Sequence, residues 1–235
     1  MPLLVTNNGN TKIRKSAEQS GMRIASLSLW PDDKICPGSK AAGCMDLCLK
    51  SEGRGKMQSV QLARSNKTEL WHNDRAKFLE MLFEEIFVWV RRCKKSGDKA
   101  AIRLNTISDI AWEQYGIFEE FPDLFGYDYT KRVQRLGRTP DNYKLIFSYS
   151  AEPAYQGSVN RALNTSHPIA VVFRGGLPGE YLGRSVIDGD KSDIINVNAG
   201  PVVIGLKAKG TSGKRSLASN SNFIVDNPES LEVAA

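Results

Sequence analysis

Apolar and polar positions recur at two different periods along this chain, and the switching between them is the first guide to its fold. Residues 23 to 30, Arg-Ile-Ala-Ser-Leu-Ser-Leu-Trp, set Ile24, Leu27 and Leu29 among small polar residues and predict a strand. From 75 to 96 the apolar positions Leu79, Leu82, Phe83, Ile86, Trp89, Val90 and Cys93 return at three- and four-residue steps. That spacing predicts a helix capped by Asn73 or Asp74 and ended at Ser96-Gly97. Residues 58 to 72 read as another helix. Strand-like runs follow at 100–105, 125–129, 143–148, 167–174 and 201–206, with a last short one at 223–225. Stretches of helical character separate them, including a basic helix expected after Lys131.

Strands separated by helices imply parallel pairing through crossover connections. The predicted class is therefore α/β, a partial (βα)6 TIM-like barrel with a cysteine loop after the first strand; an open doubly wound sheet is the alternative. In a barrel the working residues leave the C-terminal ends of the strands. This rule gathers the cysteine loop, Arg103, Asn105, Asp109, Asp128, Tyr129, Lys131, Ser148 to Ser150 and Arg174 at one mouth. A segment with three carboxylates, Val186 to Asp193, reads most simply as an Asp-Gly turn between two strands.

Outside the periodic region, residues 1–21 are polar, with only Leu3-Leu4-Val5 suited to a short edge strand, and read as a loosely held N-terminal arm. Residues 22–226 read as a single α/β domain and 227–235 as a C-terminal tail. Composition agrees with one globular domain: of 235 residues, 41% are hydrophobic and 25% charged, which marks neither disorder nor a membrane protein. No run is long enough to span a bilayer and the first residues lack the basic start of a signal peptide, so the expectation is a cytoplasmic protein with no membrane partner. The formal net charge of +6 admits a polyanionic partner such as nucleic acid. Its basic residues cluster at Arg91–Lys95, at Lys131 to Arg138 and at Lys207–Arg215, and each cluster also reads as an ordinary solvated face.

The densest chemistry lies between Ile35 and Gly55, where Cys36, Cys44 and Cys48 follow one another as C-x7-C-x3-C among Pro37, Gly38 and Gly43. In a reducing compartment clustered thiols favour metal over disulfide, and three thiols cannot pair evenly. Three thiolates leave one coordination position for another ligand, the arrangement of a [4Fe-4S] cluster with one open iron. Zinc is the runner-up metal, and a closed zinc site would need a fourth ligand from Cys93, His72 or Asp46. Cys93 falls on the apolar stripe of its helix and reads as a core thiol. Nucleophilic catalysis by Cys48 has only His72 and His167 as bases, neither paired with a cysteine in sequence.

At the cysteine loop, Ile102 to Glu113, Tyr127 to Lys131, Val186 to Asp190 and Gly205 to Gly210, the sequence resembles the phage "gene product 88" type family from about residue 22 to 226. The resemblance implies a phage origin, hence the host cell cytoplasm, and little about activity. More distantly, the chain is similar to the radical S-adenosylmethionine superfamily, whose partial barrels carry three cluster-binding cysteines in the loop after the first strand. Its usual C-x3-C-x2-C spacing differs from the one here. That resemblance implies a radical-type enzyme of unknown substrate, with Cys36, Cys44 and Cys48 as metal ligands and Asn105 and Asp109 as contacts for S-adenosylmethionine or a small-molecule substrate. The rival expectation is a non-enzymatic, metal-stabilised protein that binds nucleic acid or a host protein.

Overall fold

The computed structural model describes residues 1–6, 10–208 and 221–229. The tail at 230–235 and most of the Lys207–Arg215 basic cluster lie outside the described residues. Ten strands form one sheet: β1 (Leu4–Val5), β2 (Met22–Leu27), β3 (Lys99–Arg103), β4 (Phe125–Thr130), β5 (Tyr143–Ser148), β6 (Ile169–Arg174), β7 (Glu180–Tyr181), β8 (Arg184–Asp188), β9 (Val203–Lys207) and β10 (Ile224–Asp226). Their spatial order is β1-β2-β3-β4-β5-β6-β9-β8-β7. From β2 to β8 every neighbouring pair is parallel, while β1 and β7 pair antiparallel at the two edges.

Six parallel strands thus stand side by side in sequence order, β2 to β6 and then β9, as the periodicity predicts. The sheet does not close on itself among the described residues, because β1 and β7 each pair on one side only. The architecture is an open, mostly parallel α/β sheet, and the barrel expected from the sequence is replaced by a sheet that runs on through β8 and β7. Strand β10 lies parallel to the far end of β6, pairing Ile224 with Val172, where β5 has already ended at Ser148.

Helices cover both faces, and strand alternation assigns them. On one face α2 (Gln58–Asn73), α3 (Arg75–Ser96), α4 (Ile117–Glu120) and α5 (Gln156–Leu163) lie over odd positions of β5 and β6. Trp71, Phe78, Leu82, Ile86, Trp89 and Cys93 pack there against Ala100, Ile102 and Leu145. Val159 and Ala162 of α5 extend the layer over Phe147, Val171 and Phe173. Cys93 is fully buried in this layer, as its helical stripe predicts. On the other face α1 (Thr11–Ser20) contributes Ile13, and α6 (Asp193–Asn196) with the residue after it contributes Ile194 and Val197, to a core with Ile24, Ala101, Tyr127, Ile146, Ala170 and Ile204.

Three sequence expectations change here. Residues 1–21, expected as a loose arm, hold the edge strand foreseen at Leu4–Val5 and also α1, whose Asn10 side chain accepts from the Lys12 amide and whose Gly21 ends it in the left-handed region at φ 66. The basic helix expected after Lys131 is a single 3-10 turn, Val133–Arg135. The Asp-Gly turn, expected between two strands, instead leads from β8, a strand the periodicity did not mark, into α6.

Candidate functional site

Residues 28–57 link β2 to α2 over the C-terminal end of the sheet, and apolar anchors hold this polar loop down. Ile35 and Ala42 are completely buried, the first in the core under α2 and α3 and the second in the core under α5. Asp32 opens the loop: its Oδ1 accepts from the amides of Lys34 and Ile35, its carbonyl accepts from the Cys36 amide at 2.8 Å, and its Oδ2 lies 2.7 Å from His72 Nε2. Burial alone would raise the Asp32 pKa, yet the His72 and backbone hydrogen bonds outweigh it and hold this carboxyl below its ordinary value. Gly38 permits a close approach of the loop to β4's end, since a Cβ there would sit 2.7 Å from Lys131 Cβ.

No disulfide joins the three thiols, and each is half-buried. Cys36 Sγ donates weakly to the Ile107 carbonyl at 3.7 Å, and Cys44 Sγ to the Ser39 carbonyl at 3.6 Å. Burial pushes the Cys36 thiol far up, and the charges of Asp109, Cys48 and Cys44 push it further. Burial likewise raises Cys44, with Lys131 opposing. The three sulfurs therefore feel one another's charge, but among the described residues no three His, Cys, Asp or Glu side chains come together as a ready metal cage.

Two cations stand beside the thiols. Lys131, just past the end of β4, donates through Nζ to Ser148 Oγ at 2.8 Å and to the carbonyls of Ser148 and Tyr149. Burial lowers its pKa to about 8, against the pull of Cys44, Asp109 and Cys36. Arg64 of α2 donates to the Lys50 carbonyl at 2.8 Å; burial lowers its pKa and the charge of Cys48 opposes that shift. Sequence inspection passes over Arg64, because its nearness to Cys48 is made by the loop folding back on α2.

Asp109 ties this loop to the neighbouring strands. Its amide donates to the Ile35 carbonyl at 2.9 Å, its Oδ2 accepts from the Lys131 amide at 2.8 Å, and its Oδ1 accepts from Thr130 Oγ1 at 2.8 Å and Arg135 at 2.6 Å. Arg135 is the second residue that sequence reading misses. It sits in the 3-10 turn after β4, and all five of its N–H groups find acceptors on Asp109, Thr130, Glu113 and Tyr143. Asn105 stands behind Asp109 with its amide spent on the loop itself: Oδ1 accepts from Ser108, Ile110 and Trp112, and Nδ2 donates to the Ile110 carbonyl.

The other residues expected at the mouth are divided between the faces. Asp128 points to the α3 face, accepting from the Asn105 amide and Tyr143, and burial pushes its pKa up to about 7 despite Arg103, Asn105 and Tyr143. Arg103 points to the opposite face and pairs with Asp193 at 2.9 Å. Arg174 pairs with Asp226 of β10 at 2.5 Å. Cys93 lies near the C-terminal end of α3, three residues before the Ser96 at which the chain turns into β3. That is the N-terminal edge of the sheet, a strand's length from the loop, which removes it as a fourth ligand for the loop thiols. His72 is engaged with Asp32.

No helix among the described residues is long and apolar enough to cross a membrane. The family described as Gene product 88 matches this sequence over residues 2–227, and the chain belongs to that family of phage gene products. No curated protein and no solved structure matches it.

Proposed function

We propose that this Gene product 88 family member binds a [4Fe-4S] cluster through Cys36, Cys44 and Cys48, held in the loop after the first parallel strand as in radical S-adenosylmethionine enzymes, and serves radical-type chemistry. One observation carries the reading: three thiols within electrostatic range of one another sit at the C-terminal end of sequentially ordered parallel strands, flanked by Lys131 and Arg64. The donor set fits in kind and number, and the two cations offset the negative charge that three thiolates bring. As placed, the Cys36 and Cys44 thiols turn to carbonyls, so loading requires both side chains to rotate and lose their protons.

A cluster with one open iron supplies one-electron reduction of a bound cofactor. The chain's own part is to hold and orient. Asp109 is the nearer of the two proposed cofactor contacts, fixed by Arg135 and within charge range of Cys36. Asn105 acts one layer behind it, keeping the 105–111 loop in shape. Lys131 and Ser148 supply polar groups beside Cys44 where a small-molecule substrate would be oriented.

Protein purified without oxygen is expected to be brown and to carry close to four irons and four sulfides per chain, a stoichiometry set by the cluster type. Cys36→Ala, Cys44→Ala and Cys48→Ala should each abolish it, and Cys93→Ala should leave it. Colourless protein with stoichiometric zinc would sink the cluster and leave the runner-up metal. With S-adenosylmethionine and a reductant, release of 5'-deoxyadenosine marks the enzyme; iron-loaded protein that releases none is a binding protein.

A further inference from the structure

Beside the 3-10 turn that follows β4, a cavity of about 260 Å³ is lined by Glu113, Gln114, Arg132, Gln134, Arg135 and Arg138. All six lining residues are polar or charged in type, with the stems of the long side chains supplying apolar wall between the heads, and three of the six are arginines spaced three apart. A 3-10 helix has three residues per turn, so positions three apart eclipse, and Arg132 and Arg135 come to one side of the Val133–Arg135 turn. Gly137, at φ 73, then bends the chain so that Arg138 joins them.

The three guanidinium groups are not equivalent. Arg135 is consumed by Asp109, Glu113, Thr130 and Tyr143, so it forms a wall, and it neutralises the Glu113 carboxylate that would otherwise repel an anion. Arg132 and Arg138 have no ion-pair partner among the described residues, and the hydrogen bonds that name them use only their backbone. Two unspent guanidinium forks, with Gln114 and Gln134 also in the lining, make a donor-rich cleft. That combination matches a phosphate, whose oxygens accept bidentate pairs.

We propose that this cleft binds a phosphoryl group of a phosphate ester, with Arg132 and Arg138 as the binding residues and Gln114 and Gln134 as supporting donors. The volume admits more than the phosphate alone, so the group attached to it enters as well. The site is independent of what the cysteines hold, although Arg135 links the two through Asp109. A free mononucleotide and a nucleic-acid backbone present the same phosphoryl chemistry, and titration separates them.

Calorimetric titration of the full-length protein with inorganic phosphate, a nucleoside monophosphate and a short single-stranded oligonucleotide, at low and moderate salt, tests this. At least one probe should bind. Arg132→Ala/Arg138→Ala should weaken that binding about tenfold or more, the scale of a lost pair of charge-assisted hydrogen bonds. Lys94→Ala/Lys95→Ala, the same charge change on α3, should leave it unaltered. Tighter binding of the mononucleotide assigns a small phosphate ester, and tighter binding of the oligonucleotide with a steep salt dependence assigns a backbone phosphate. The single variant Arg138→Ala, at an exposed position, gives the same reading if the double variant folds poorly. Absence of binding by all three probes at low salt overturns the site, and so does equal weakening by the lysine pair.

Discussion

Two buried arginine–aspartate pairs stand on opposite faces of the sheet, and they are built differently. Arg135 with Asp109 and Glu113 joins residues 22 to 26 apart in sequence, has every guanidinium donor satisfied, and grips the cysteine loop through the Asp109 amide. Arg103 with Asp193 joins residues 90 apart and adds Lys12 of α1 at 2.7 Å and Tyr129 at 2.6 Å. There Arg103 Nε, Tyr127 OH and Asn196 Nδ2 lack hydrogen-bond partners among the described residues. Burial opposes the charge of Asp193, but Arg103 and Lys12 win and keep its pKa low. The first network is a saturated brace for a site, while the second is a staple that fastens α1 and α6 across the sheet.

The two networks respond unequally to the loss of a partner. Arg135→Ala strands two buried carboxylates and should cost about 3–5 kcal/mol, the range for breaking a buried pair. It should also speed the reaction of Cys36 with a thiol reagent, because Asp109 then loosens its hold on Ile35. Denaturant unfolding and thiol-labelling rates measure both, and an unchanged labelling rate would separate the brace from the loop. Asp193→Asn should cost less, about 1.5–3 kcal/mol, the scale of hydrogen bonds to a charged group, because the Lys12 side chain is 21% exposed and can turn to water. Its labelling rate should match the parent protein.

His72→Ala probes the lighter tether at the entrance of the loop. The pair is partly exposed, so the loss should stay within about 1 kcal/mol at neutral pH. The sign with pH follows from Asp32, whose pKa is lower in the folded protein than the ordinary 3.8. Such a group adds stability above its unfolded value and gives it up as pH falls through the folded one, so the difference between the two proteins should shrink below about pH 4. A difference that keeps growing as pH falls below about 4 would show that Asp32 is not the group His72 stabilises.

What was readable in the sequence follows local periodicity. The helix at 75–96 and the strand at 143–148 stand where the pattern puts them, because each carries a full apolar stripe or alternation that tertiary packing only confirms. Helix α1 escaped, since Thr-Lys-Ile-Arg-Lys-Ser-Ala-Glu-Gln-Ser shows a bare apolar pair, Ile13 and Ala17, and owes its place to Ile13 in the core and Ser16 against α6. In the candidate site the cysteines and Lys131 were legible from residue type and strand-end position. Arg64 and Arg135 were not, for a basic residue in a basic stretch looks solvated until the chain folds it onto a carboxylate or a thiol. The direction of Arg103 was also hidden, since the register of a strand end is set by its neighbours.

The short pairing of β10 with β6 has a bearing on how the protein is made. Ser221, just before that strand, donates to the Gly43 carbonyl, 178 residues back, and Asn222 reaches Glu152, which crowds Gly43 from the other side. A ribosome adding about 5–20 residues per second needs on the order of ten to forty seconds to pass from one to the other. Throughout that interval the nascent chain holds the loop between Cys36 and Cys48 without this C-terminal contact, so its last tether forms only near the end of synthesis.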